Sequence, residues 1–277
     1  MKNENFYAGA EGCCRDHTKI NPVPQQRIIE KMNEYMSRRD YTGAERHLLY
    51  WLAEAELGRD LRGELVIRNE LIGHYRKTAD QEKALENIDA ALALLEQSEF
   101  EDTLIIGTTC INAATACNAF GYHNRALRLF ERARAVYEAS PLTDPQQLAG
   151  LYNNMGLTYA SLNSYTEAET LYRAALDRLQ PVPDSNLEQA ITYLNMADLV
   201  NAEKGSVDGE HEIQKLLDRA LELLDKDPDR RDGYYAFVCE KCAPSFSYYG
   251  YFAAANMLNR RAQEIYTQQQ VYIHGLN

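Results

Sequence analysis

The sequence predicts an all-α protein in which about six antiparallel helix pairs stack into a right-handed α-α superhelix. Three observations carry this reading: an internal repeat of about 42 residues, small and apolar residues recurring at helical spacing, and polar breaks rich in Pro, Ser and Asp. The repeat is clearest in three consecutive units. Ala168, Tyr172 and Ala175 fall on Ala126, Phe130 and Ala133 when moved back 42 residues, and on Ala84, Ile88 and Ala91 when moved back 42 more. A single helix pair cannot bury its apolar stripe alone, so each unit needs a neighbour.

Taken in order, the first unit keeps Tyr35, Ala44 and Leu48 but has Trp51 where the others have alanine. In the second, Asp80 precedes the run Gln81 to Glu96 as a helix start. In the third, Gly121 interrupts Ala113 to Ala139 and marks the turn between two helices. The fourth carries Thr166 with Glu169 three residues later, a capping-box pattern. The fifth resumes the first-helix pattern at Tyr193, Met196 and Ala197, and the second at Leu217 and Ala220 after an insertion around Lys204 to Gly209. The sixth, from about Gly233, keeps only Ala254 or Ala255, Leu258 and Ala262, and Pro244 is expected to interrupt its first helix. Atypical end units fit an array whose terminal faces meet water. Breaks between units are expected near Gly58, Phe100, Asp144, Ser185 and Asp229. The expected organisation is an extension over 1–24, the repeat domain over 25–270 and a tail over 271–277.

Composition narrows the function classes. Of 277 residues, 45% are hydrophobic and 25% charged, which is ordinary globular usage. A formal charge of −12 without a basic cluster would repel a phosphate backbone, so nucleic acid is not expected as a partner. No run approaches the ~20 apolar residues of a membrane span, and the first residues lack a secretory apolar stretch, so a cytoplasmic protein without membrane partners is expected. Cys13, Cys14, Cys110, Cys117, Cys239 and Cys242 are too sparse for a disulfide framework and read as reduced thiols.

The segment Leu151 to Leu176 places Tyr152, Met155, Gly156, Tyr159, Ala168, Tyr172 and Ala175 at the spacing of the tetratricopeptide (TPR) pattern. The small residues permit close helix approach, and the aromatics fill the gaps between helices. The chain thus resembles TPR proteins, and its long units are similar to those of kinesin light chains and of bacterial peptide-sensing regulators. The resemblance implies a concave groove that holds a protein or an extended peptide, with no cofactor and no catalysis.

Asn112, Asn154 and Asn195 each lie two residues before the small residue at the close-packing point of a first helix, at spacings of 42 and 41. In peptide-binding TPR modules, which the chain resembles, asparagine at this place points into the groove and bonds the ligand's backbone or terminal carboxylate. An amide carries donors and an acceptor and can satisfy a peptide bond in either direction. Equally, the three amides could tie neighbouring helices together. The second unit departs from the ladder with Glu70, beside Asn69, and no lysine next to Asn112 completes a two-carboxylate clamp. Arg76 and Lys77 extend the candidate row toward the amino-terminal end, where they also suit a helix C-terminus. The candidate peptide-binding residues are therefore Asn69, Arg76, Lys77, Asn112, Asn154 and Asn195.

No phosphate loop, nucleophile elbow or HExxH motif is present, and the six histidines are scattered among units. Tyr152, Tyr159, Tyr165 and Tyr172 fall mostly on core pattern positions and are not read as a ligand box. Cys239-Glu-Lys-Cys242 has the spacing of half a zinc site or of a dithiol pair, but it lies in an apparent helix and not in a knuckle. Packing as small apolar groups is the favoured reading, so no metal is expected. The leading expectation is a non-catalytic scaffold. The alternatives are an intracellular sensor of a small signalling peptide and, behind it, a metal or redox protein using the CxxC segment.

Overall fold

The computed structural model describes residues 20–97, 103–226 and 232–274. Twelve helices and no strand occur among the described residues: α1 (Gln25–Ser37), α2 (Tyr41–Gly58), α3 (Leu61–Thr78), α4 (Gln81–Gln97), α5 (Thr103–Ala119) and α6 (His123–Ala139) in the first half. The second half holds α7 (Pro145–Ser161), α8 (Tyr165–Leu179), α9 (Asn186–Asp208), α10 (Glu210–Asp225), α11 (Gly233–Tyr248) and α12 (Phe252–His274). Consecutive pairs form six hairpins in an all-α superhelix. The breaks at Gly58, Asp144 and Ser185 fall at helix ends, whereas those at Phe100 and Asp229 lie outside the described residues. No described helix is long and apolar enough to cross a membrane.

The hairpin turns repeat one piece of local chemistry. Ala79, Gly121 and Asn163 sit at 42-residue intervals, and each has positive φ in the connection of two or three residues that reverses the chain. The residue that follows begins the second helix, and at Asp80 its carboxylate accepts the Lys83 backbone N–H at 3.2 Å. Asp40, Asp60, Asp144 and Asp232 cap α2, α3, α7 and α11 in the same way, at 2.8 to 2.9 Å. Asp60 does more: its second oxygen accepts the Val23 N–H at 2.9 Å, which ties the segment before α1 to the start of α3.

Packing follows the repeat register. Ala84, Ile88, Ala91, Ala126, Phe130, Ala133, Ala168, Tyr172 and Ala175 are all fully buried. The small residues let the paired helices close, and the ring of Tyr172 lies so near Gly156 that a Cβ at Gly156 would collide with it. Two large apolar clusters result, one running from Leu65 to Leu179 and the other from Ala190 to Ile265. A small cluster of Ala168, Tyr172 and Leu199 lies where hairpins four and five meet.

Two local expectations are corrected, and a third gains detail. Thr166 is not a cap: α8 starts at Tyr165 after Ser164, so Thr166 lies inside the helix and its carbonyl accepts from Thr170. Glu169 pairs instead with Arg173 at 2.6 Å. Pro244 does not interrupt α11, which continues to Tyr248. It stands exposed near the last turn, while Cys242, Ala243 and Phe246 around it are buried, and their packing outweighs the missing backbone donor. The extra residues at Lys204 to Gly209 prolong α9 past a kink at Gly205, whose φ of 79° follows Asn163 at the same 42-residue interval as the other turns. The chain begins its turn in register there and then adds one more helical turn before α10.

Candidate binding groove

The first helix of every hairpin packs on the first helix of the next, from α1 through α3, α5, α7 and α9 to α11. The second helices α2, α4, α6 and α8 meet chiefly their own partner and the following first helix, while α10 meets chiefly α9. The odd-numbered helices therefore run closer together and form the inner wall of the array.

Four of the candidate amides occupy this wall with different surroundings. Asn69 on α3 is buried, and its amide nitrogen donates to the Thr109 hydroxyl of α5 at 2.9 Å. Its carbonyl oxygen is buried without a partner. Asn112 and Asn154 are half-buried, and neither side chain forms a hydrogen bond among the described residues. Asn195 is half-buried too, but donates to the Asn153 side-chain oxygen at 3.1 Å. Glu70, at the ladder position in α3, is half-buried, and desolvation raises its carboxyl above the usual carboxylate range. Arg76 and Lys77 are exposed at the end of α3, and Lys77 stands 5.7 Å from the centre of the Tyr41 ring.

The structure adds residues that sequence reasoning missed. Asn153, adjacent to Asn154, is buried and donates to the Thr192 hydroxyl of α9 at 2.9 Å. The Thr192 hydroxyl in turn donates to the Glu188 backbone carbonyl at 2.9 Å. Asn69 with Thr109 and Asn153 with Thr192 are thus the same latch between neighbouring first helices, placed two hairpins apart. A signal existed: in both cases the threonine stands three residues before a ladder asparagine, Asn112 or Asn195.

Cys239 and Cys242 lie one turn apart on α11 with both side chains buried among apolar neighbours. Burial pushes the Cys242 thiol up to about 12, with the adjacent Cys239 adding to the shift. Cys13 and Cys14 lie outside the described residues, and among those described no three His, Cys, Asp or Glu side chains are grouped to hold a metal. Cys242 is expected to resist a maleimide in the native protein and to react fully in denaturant. Mass spectrometry of the labelled protein checks this, and rapid native labelling would show an accessible thiol instead.

No family model matches the chain, and no curated protein matches it in sequence. Solved structures do. A putative kinesin light chain from Podosopora anserina, with nearly identical TPR-like repeats, is similar in two crystal structures, both 15% identical over 73% of this chain. They cover 94% and 95% of that protein, with TM-scores of 0.51 and 0.50. BtubC from P. vanneervenii aligns over 90% of this chain and 93% of its own, at 18% identity and a TM-score of 0.49. The chain has a TPR-like repeat fold. Asn112, Asn154 and Asn195 belong to α5, α7 and α9, the first helices of their hairpins. The TPR-like pattern also accounts for the buried tyrosines, since Tyr152 and Tyr172 fill gaps between helices and are not available to a ligand.

Proposed function

We propose that this protein is a non-catalytic cytoplasmic scaffold that holds a protein or an extended peptide along its inner wall. The observation that carries this reading is the pair Asn112 and Asn154, amides at one repeat position in adjacent hairpins, with no internal hydrogen bond to occupy them. Stacked repeats align such groups in a row, and a row suits an extended backbone better than a compact ligand. Arg76 and Lys77 add positive charge toward the amino-terminal end and favour acidic residues of the ligand there. Asn69 and Asn195, each already donating to a neighbour, belong to the row through its supporting bonds.

The test is selection of binders from a displayed random-peptide library, followed by titration of the best binder against variants. Asn112→Ala and Asn154→Ala are each expected to weaken binding by about 0.5–1.5 kcal/mol, the worth of a neutral hydrogen bond. Their melting temperatures should stay at the parent value, because neither amide supports the fold. Undiminished affinity in both variants would remove these residues from the site.

A further inference from the structure

The exposed aromatic residues of the sixth hairpin are not part of the repeat pattern. Tyr234, Phe237, Lys241, Pro244 and Tyr248 recur at three- and four-residue steps and so form one narrow stripe along α11, which belongs to the inner wall. Tyr234 is 47% exposed, Phe237 45% and Tyr248 71%, against near-complete burial of Tyr235 and Phe246 on the opposite side. The rings of Tyr234 and Phe237 stack with centres 6.4 Å apart and 23° between planes, and the Lys241 ammonium stands 5.6 Å from the Phe237 centre. Lys241 therefore occupies that face of Phe237 and leaves Tyr234 as the ring next to Glu188.

A carboxylate completes the setting. The Tyr234 hydroxyl donates to Glu188 Oε1 of α9 at 2.9 Å, while Glu188 Oε2 is buried with no hydrogen-bond partner. A desolvated carboxylate oxygen without a donor is costly, and a ligand that supplies a charged N–H recovers that cost. Beside it opens a cavity of about 370 Å³, lined among others by Leu187, Glu188, Leu223 and Tyr234, with Asp184 and Asp232 adding negative charge. A mostly polar, acidic cavity with a leucine edge, an aromatic stripe beside it and an unpaired carboxylate oxygen select one class of side chain.

We infer that the aromatic stripe of α11, together with Glu188, is a docking subsite for a partner segment that carries an arginine or lysine between apolar residues. The cation enters beside Glu188 against the Tyr234 ring, and the apolar neighbours lie along the stripe over Phe237 toward Tyr248. The charge is complementary both locally and to a chain with a net charge of −12. This inference rests on the reading of the inner wall as a peptide-binding surface, and it names the partner chemistry at the carboxy-terminal end of that wall.

The test uses three short synthetic peptides with a central Arg, Gln or Glu between leucine pairs, titrated by fluorescence anisotropy into the full chain. The Arg peptide is expected to bind about tenfold or more tightly than the Glu peptide, the scale of one charge-assisted hydrogen bond, and to weaken with salt. Glu188→Gln keeps an acceptor for Tyr234 but removes the charge, so it should abolish the preference for Arg. Phe237→Leu should weaken the Arg and Gln peptides alike, and it carries the test if Glu188→Gln fails to fold. Equal binding of the Arg and Glu peptides, or an Arg preference that survives Glu188→Gln, overturns the subsite. If binding falls instead with Asn154→Ala alone, the groove reading stands and the subsite does not. Failure of all three peptides on the native chain also overturns the subsite, while the library selection judges the groove separately. Self-association in sedimentation velocity that is lost on Phe237→Leu would assign the stripe to a contact between copies, and this too overturns the proposal.

Discussion

Tyr172→Ala is expected to cost about 3–5 kcal/mol of folding stability and to uncouple the last two hairpins from the first four. Tyr172 is fully buried and packs with Ala168 and Leu199, the small cluster that stands between the two large apolar clusters of the array. Its ring also covers Gly156, which has no side chain with which to fill the space left behind. The cavity would therefore persist rather than collapse, and the full truncation cost applies. In a repeat array, stability is approximately the sum of each unit and its interfaces, so a weakened interface separates the transitions of the blocks on either side. The single Trp of the chain, Trp51 in α2, reports only on the amino-terminal block. Urea unfolding followed by far-ultraviolet circular dichroism and by Trp51 fluorescence is the measurement. In the variant the two curves should part, with part of the helical signal lost while Trp51 remains native. Coincident curves at the parent midpoint would show that the interface does not depend on this ring.

The 42-residue register was legible because it reports burial: Ala, a large apolar residue and Ala recur wherever two helices close on each other, and all nine such positions are buried. The turns were legible for a related reason, since a reversal of two or three residues places a left-handed residue at one fixed point, at Ala79, Gly121 and Asn163. What failed was local chemistry read without that register. Thr166 and Glu169 have capping-box spacing, but the reversal at Asn163 starts α8 too early for Thr166 to cap it. Pro244 carries a helix-breaking preference that packing on both sides overrides. The candidate site was legible only to within a helix rotation. Asn153 and Asn154 are neighbours in sequence but ~100° apart around α7, so one enters the seam between helices and the other stays half-buried outside it. The α11 stripe was hidden because tyrosine composition is the same for rings that fill gaps, such as Tyr152, and rings left uncovered, such as Tyr248.

The paired latches allow a sharper test of what these amides do, because the same substitution should have unequal consequences at two equivalent places. At Asn153 both ends of the side chain are occupied: the nitrogen donates to Thr192 and the oxygen accepts from Asn195. Asn153→Ala removes both bonds from a buried seam and releases Asn195, and is expected to destabilise the protein by about 1–3 kcal/mol. At Asn69 only the nitrogen is occupied, by Thr109, and the buried oxygen has no partner. Asn69→Ala loses one bond but also relieves the desolvation of an unpaired acceptor, two contributions of similar size and opposite sign. Its stability should therefore stay within about 0.5 kcal/mol of the parent, the range of a substitution that touches no critical feature. Chemical denaturation of the two variants side by side measures the difference. Equal losses would mean that the unpaired oxygen of Asn69 is satisfied in solution, and that both latches hold their helices with two bonds. The same Asn153→Ala protein also separates support from contact: Asn195 is freed while Asn112 and Asn154 are untouched, so peptide affinity per folded molecule should fall only if Asn195 must be held by Asn153 to meet the ligand.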